Sequence, residues 1–229
     1  MFYFETVTVA SWLQVEIFLS HVLTFSRSHA LTSHLLLSHS LTLVSENNLI
    51  FTKSKQNTRQ HMCSAENIKD ALIHEVQVRL YDESLPRILK CLDQLENEQI
   101  WWRPNEASNS IGNLVLHLCG NVTQWIYSGL GGFPDNRTRQ TEFDERRVLD
   151  KSELRELLVL TMDKIKPVII HLKETELLQP RPVQTFTETG LTILIHVTEH
   201  FSYHTGQIAY ITKMLSDSPL GFYEGVSLE

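Results

Sequence analysis

The chain has 229 residues, 42% of them hydrophobic and 21% charged, with a net charge of −7. That is ordinary for a globular protein that builds its core without disulfides, and the acidic balance excludes the clustered Lys and Arg of a nucleic-acid footprint. The three cysteines, Cys63, Cys91 and Cys119, form no Cys-x-x-Cys pair, which excludes a cysteine zinc site and fits a reducing cytoplasm.

Residues 1–61 differ from the rest. Ser-His recurs at Ser20-His21, Ser28-His29, Ser33-His34 and Ser38-His39, embedded in Leu and Thr. Glu5 and Glu16 interrupt the early apolar stretch and no positive cluster precedes it, unlike a secretory signal. No run reaches the roughly 20 apolar residues of a membrane span. Ser, Leu, Thr and His codons can all be built from C, T and A. The segment therefore reads as low-complexity sequence, disordered or a gene-model extension, with the native start at Met62. A peptide from residues 20–40 in the native protein would refute that start. The histidines here reflect composition rather than a metal site.

From Met62 the pattern is helical. Ser64 can cap a first helix that runs to about Leu95, with Pro86 expected to kink or break it. A second helix runs from about Ser110 to Ser128, where Gly129, Gly131 and Gly132 end it. The polar loop that follows, Gly131 to Arg147, is longer than most connections, and long loops often carry function. Asp150 caps a third helix and Glu153 completes a capping box. Pro167 is expected to interrupt that helix, and Pro180 and Pro182 mark an extended connection. Thr185-Phe186-Thr187 reads as a short extended piece without a pairing partner. The fourth helix spans about Thr189 to Leu215. Four long helices with mostly short connections predict an all-α fold, an antiparallel four-helix bundle over residues 62–229.

Two of these helices carry the chemistry. In the fourth, Leu194, Val197, Phe201, His204, Ile208, Ile211 and Leu215 repeat every three or four residues and form the buried seam. His204 is thus a core position. His200 lies one turn away beside the seam, and His196 on a more peripheral line. The spacing favours His200 and His204 as a ligand pair over His196 and His200. In the second helix Ile111, Val115, Leu118, Val122 and Trp125 form the seam. Beside it runs an uncharged polar stripe, Asn113, His117, Asn121 and Gln124, with no Lys or Glu from Ser110 to Leu130. Such a stripe suits an internal cleft rather than a solvated face. His117 at its centre would complete a three-histidine site with an open position. A bound metal there could activate a water or a thiol. Its occupancy is expected to fall as pH drops through roughly 6.5, the ordinary histidine value.

Other sites fail on spacing. No Glu lies three residues before a His, so the di-iron pattern is absent. His74-Glu75 has Val78 where a zincin needs its second His. Cys119, two residues from His117, points away on a helix and reads as core. Gln207 could orient a ligand; Asn121 and Asn113 could bind substrate or orient His117. Gly206 could permit close helix approach. Trp101 and Trp102 are expected to lock the turn between helices, and Arg137 and Arg139 to be solvated or salt-bridged.

The run His196-Val-Thr-Glu-His200-Phe-Ser-Tyr-His204-Thr-Gly206-Gln207-Ile208 resembles the last-helix signature of the DinB-like superfamily of metal-binding four-helix bundles. Trp101-Trp102-Arg103-Pro104-Asn105 and Asn109 through Asn121 resemble one subfamily, as does the loop with Arg137, Arg139, Glu142 and Phe143. The resemblance covers residues 62–229. It implies His117, His200 and His204 as ligands of a divalent metal such as zinc or nickel. It also implies a possible homodimer and, by analogy with some relatives, a low-molecular-weight thiol as co-substrate. Three readings follow: a metal-dependent enzyme on a small-molecule substrate, with a thiol-dependent transferase ahead of a hydrolase; a non-catalytic metal-binding or stress-response bundle; and a structural bundle whose core histidines hold no metal. No membrane partner is expected.

Overall fold

The computed structural model describes residues 67–146 and 149–227. The low-complexity segment, the start at Met62 and the Ser64 cap lie outside the described residues.

The first long helix, α1, spans residues 68–93, and Asn67 caps it by accepting from the Asp70 amide at 2.9 Å. Pro86 does not break it. The chain winds as a π-helix over Val78–Ser84, and the Leu85 amide reaches back to the Leu80 carbonyl. The widened turn just before the proline accommodates a ring that would crowd an ordinary α-turn. The turn Asn97–Ile100 follows. Trp101 locks the connection as expected: its indole donates to the Leu149 carbonyl at 2.9 Å, and its ring occupies the space a side chain at Gly112 would need.

The second long helix, α2, spans residues 111–130. Its first part, Ile111–Val122, starts on a Ser110–Asn113 capping box; its second, Thr123–Leu130, is π-helical. It runs two residues past the expected end. The polar loop after it is not featureless: Arg139–Asp144 is a short helix lying on α2.

The third long helix, α3, is Lys151–Ile170, opened by the predicted Asp150–Glu153 box. Pro167 sits inside it without interrupting it. A proline this close to the C-terminus removes one backbone bond from a turn that frays anyway.

The extended connection corrects the expectation of an unpaired segment. Strands β1, Pro180–Val183, and β2, Phe186–Thr189, form an antiparallel hairpin, with Val183 opposite Phe186 and Pro180 opposite Thr189. Two prolines in one strand argue against a central position, but a two-stranded hairpin has only edges, where proline is tolerated. Gln184 makes the turn with φ 53°.

The last helix, α4, is Gly190–Ser216, capped by Thr189 and closed by Asp217 in the left-handed region. It packs on α1 and α2, while α3 packs on α2 and α1, closing a four-helix bundle. Leu80, Ile88, Leu92, Leu118, Leu158, Met162 and Phe201 fill its interior. Gly206 provides no close approach within this bundle: a Cβ there would meet nothing. The apolar tail folds back on its own α1. Leu220 is buried, and the Arg87 guanidinium lies 5.7 Å from both the Phe222 and Tyr223 rings. Among the described residues no helix is long and apolar enough to cross a membrane.

Candidate metal centre

Helix α2 turns its uncharged stripe inward. Asn113, His117, Asn121 and Gln124 are all buried, as are the apolar seam residues beside them. An amphipathic pattern with two inward stripes fits a helix that faces a core on one side and a cleft on the other. From α4, His204 is buried within the seam and His200 is half-buried next to it.

The three rings meet. One ligand atom from each of His117, His200 and His204 lies within 4.8 Å of the others. The Nε2 atoms of His117 and His200 face each other at 3.0 Å. Two imidazole lone pairs at that separation repel unless a proton or a cation lies between them. Zinc–nitrogen bonds of 2.0–2.1 Å in a tetrahedral site place neighbouring nitrogens about 3.3 Å apart, so the pair sits near that spacing. The donor set, three neutral nitrogens, suits zinc or nickel.

The tautomers follow from the second set of partners. His117 Nδ1–H donates to Glu142 Oε2 at 2.9 Å, which leaves Nε2 as the atom facing His200. Arg137 Nη2 also lies 3.1 Å from that Nδ1, but both groups are donors aimed at the same carboxylate oxygen. His204 Nδ1–H donates to Gln207 Oε1 at 2.7 Å, again leaving Nε2 free. A ligand imidazole that spends its outer nitrogen on a carboxylate or amide is fixed in ring orientation and tautomer.

Glu142, which the sequence marks only as part of the resembling loop, is the outer partner of His117. It arrives from the short helix in the loop and is held by Arg137 through Nε at 2.7 Å and Nη2 at 2.8 Å. Of the two expected states Arg137 takes the salt-bridged one; its side chain is 4% exposed, and it also donates to Gln124 Oε1. Asn113 pins the same loop by donating to the Glu142 and Glu145 carbonyls. The available signal was Gly120. It sits on α2 one turn from His117, and a Cβ there would overlap the Glu142 carboxylate.

Burial sets the protonation of the free rings. Desolvation, helped by the neighbouring His204, His117 and His196 and by Arg137, holds His200 down at about 3. His204 is lowered for the same leading reason. Both are therefore shifted toward the neutral form that a ligand must have, His200 strongly so.

A cleft of about 350 Å³ opens on His117 and His200. Asn121, Trp125 and His196 form its wall, the hairpin contributes Gln184, Phe186 and Glu188, and the loop Arg137 and Arg139. Asn121 thus reaches the cleft and Asn113 does not. His196 stacks on Trp125 at 3.9 Å and stands outside the triad. Cys119 is buried core, its thiol pushed up to about 12 by desolvation.

The sequence of residues 70–222 matches the model of a family described as proteins of unknown function, DUF1572. The chain belongs to this family. No curated protein matches it. Among solved structures, it resembles a conserved protein from Enterococcus faecalis at TM-score 0.52 and 16% identity, covering 67% of this chain and all of that one. It also resembles two proteins described as DinB-like. That from Bacillus cereus has TM-score 0.49 and 13% identity, covering 59% of this chain and 87% of that one. That from Bacillus subtilis has TM-score 0.48 and 15% identity, covering 65% and 94%. At such identity the Enterococcus likeness is one of fold alone.

Proposed function

We propose that this DUF1572 protein is a divalent-metal-dependent enzyme acting on a small molecule, with His117, His200 and His204 as the protein ligands. The observation that carries this reading is the commitment of two outer nitrogens, His117 Nδ1 to Glu142 and His204 Nδ1 to Gln207. Structural histidines have no need to bring a ligand atom from each of three rings within 4.8 Å of the others; a single proton satisfies one pair and leaves the third ring over. Zinc or nickel is the expected ion. When bound, it supplies a lowered pKa to a thiol or water in its open position, giving a nucleophile near neutral pH.

Thiol-dependent transfer leads over hydrolysis. The carboxylate that touches the triad, Glu142, is already bound by Arg137 and His117, so a hydrolase would have to take its proton-accepting base from the cleft wall, where His196 and Glu188 stand.

Protein purified without a His tag should carry or take up close to one equivalent of zinc or nickel. His204→Ala should bring that below about a tenth of an equivalent while circular dichroism retains the helix content. Wild-type protein that binds no divalent metal on titration would refute the proposal. Metal-loaded protein that stays inert toward a broad panel of thiols and electrophiles would make it a binding module instead.

A further inference from the structure

Besides its histidines, the ionic side chains that line the cleft are Arg137, Arg139 and Glu188. Arg137 is committed to Glu142. Among the described residues Arg139 and Glu188 make no ion pair, either with each other or with another side chain. Each is tied to a different side of the triad. Arg139 is solvent-exposed and lays its guanidinium on the Phe143 ring, 4.7 Å from the centroid, and Phe143 in turn packs on His117 at 4.8 Å. A guanidinium held by its flat face keeps the N–H donors in its plane free for a carboxylate. On the hairpin side, Glu188 shares the cleft wall with His196, whose ring lies 5.5 Å from that of His200. Burial lowers His196, and the charges of Glu199 and Glu188 oppose that lowering, so the Glu188 carboxylate stands near this ring. The cleft thus carries a cation on its His117 side and an anion on its His200 side, too far apart to pair directly. Its volume of about 350 Å³ holds one small molecule.

We infer that the cleft selects a zwitterionic α-amino carboxylate, its carboxylate pairing with Arg139 and its ammonium with Glu188. The substrate class is then a small amino-acid-like molecule. Such a head group carries one charge of each sign and complements both walls at once. An anion without an ammonium meets Glu188 as a like charge, and a cation without a carboxylate meets Arg139 in the same way; both juxtapositions count against the wrong ligand. With the head group held at both ends, the side chain is the part left to meet His117 and His200.

The inference rests on the proposed cleft as the substrate site, but it is read by binding rather than turnover. Full-length ¹⁵N-labelled protein, metal-free and zinc-loaded, is titrated into the millimolar range with three probes of one skeleton. These are L-norvaline, butylamine, which lacks its carboxylate, and pentanoate, which lacks its ammonium. Affinities are read from the backbone amide shifts of the cleft residues. L-Norvaline is expected to bind about fivefold more tightly than either truncated probe, the worth of one ionic contact at an accessible rim. Arg139→Gln should erase the advantage over butylamine and keep that over pentanoate; Glu188→Gln should do the converse. A general loosening of the fold would not produce that crossed pattern. Equal affinity for the three probes, affinity for none of them, or variants in which both preferences vanish together would overturn the zwitterion site. Zinc content is measured on the same samples. The crossed pattern without zinc uptake refutes the metal reading and leaves the zwitterion site standing; zinc uptake without the pattern does the reverse.

Discussion

At His117 one imidazole is held at Nδ1 by Glu142 and faces the His200 ring at Nε2. The carboxylate fixes the tautomer and the ring orientation. Glu142→Gln keeps the shape and loses the charge, and is expected to weaken zinc affinity by about 10–100-fold with little change in helix content. Affinity unchanged in a competition titration would remove Glu142 from the site. The same residue scale sets the acid response. His200 and His204 take up protons in the unfolded chain near the ordinary histidine value of about 6.5, whereas in the fold burial lowers both, His200 to about 3. Between those values the unfolded state binds more protons, so the stability of metal-free protein falls as pH drops from about 6.5 toward 3. Metal release is correspondingly expected below the midpoint of 6.5 that an ordinary histidine would give. Thermal melts of the metal-free protein from pH 7 to 4 test this. A midpoint that is flat or rises toward acid contradicts it.

Among the elements, α2 and α4 were largely legible. Asp150 with Glu153 announced α3, and the three-and-four spacing of Leu194, Val197, Phe201 and His204 announced the buried face of α4, because capping and helical periodicity are local properties of the chain. Pro86 and Pro167 misled, since a proline's effect depends on whether a π-turn or a helix end lies nearby to take up the lost bond. The loop after α2 was legible only as long and polar. Its role depends on Gly120, which leaves α2 bare where Glu142 and Arg137 dock. Gly120→Ala would ordinarily favour a helix by up to about 1 kcal/mol. Here it should push Glu142 off His117 and lower zinc affinity at least as far as Glu142→Gln does. An alanine variant that is both more stable and equally tight for zinc would show that the docking is dispensable.

Over the whole molecule, the facing rings come from residues 83 positions apart, so the site exists only while the bundle is closed. Cys91 and Cys119 report on that closure. Both are buried, and desolvation raises both thiols, Cys119 to about 12. Neither should react with iodoacetamide at pH 8 in native buffer, and both should react once the protein is unfolded. Peptide-resolved mass spectrometry separates them from Cys63, and native labelling of Cys119 at the rate of a free peptide would contradict the packing. By itself the sequence determined the four helices, which of their faces are buried, and which histidines lie on or beside the inward stripes of α2 and α4, because each follows from spacing along one chain segment. Only the tertiary structure decided that the three rings converge, that Glu142 and Gln207 fix their tautomers, and that two prolines belong to a hairpin walling the cleft. Those facts depend on distances between segments, which hydrophobic periodicity does not encode.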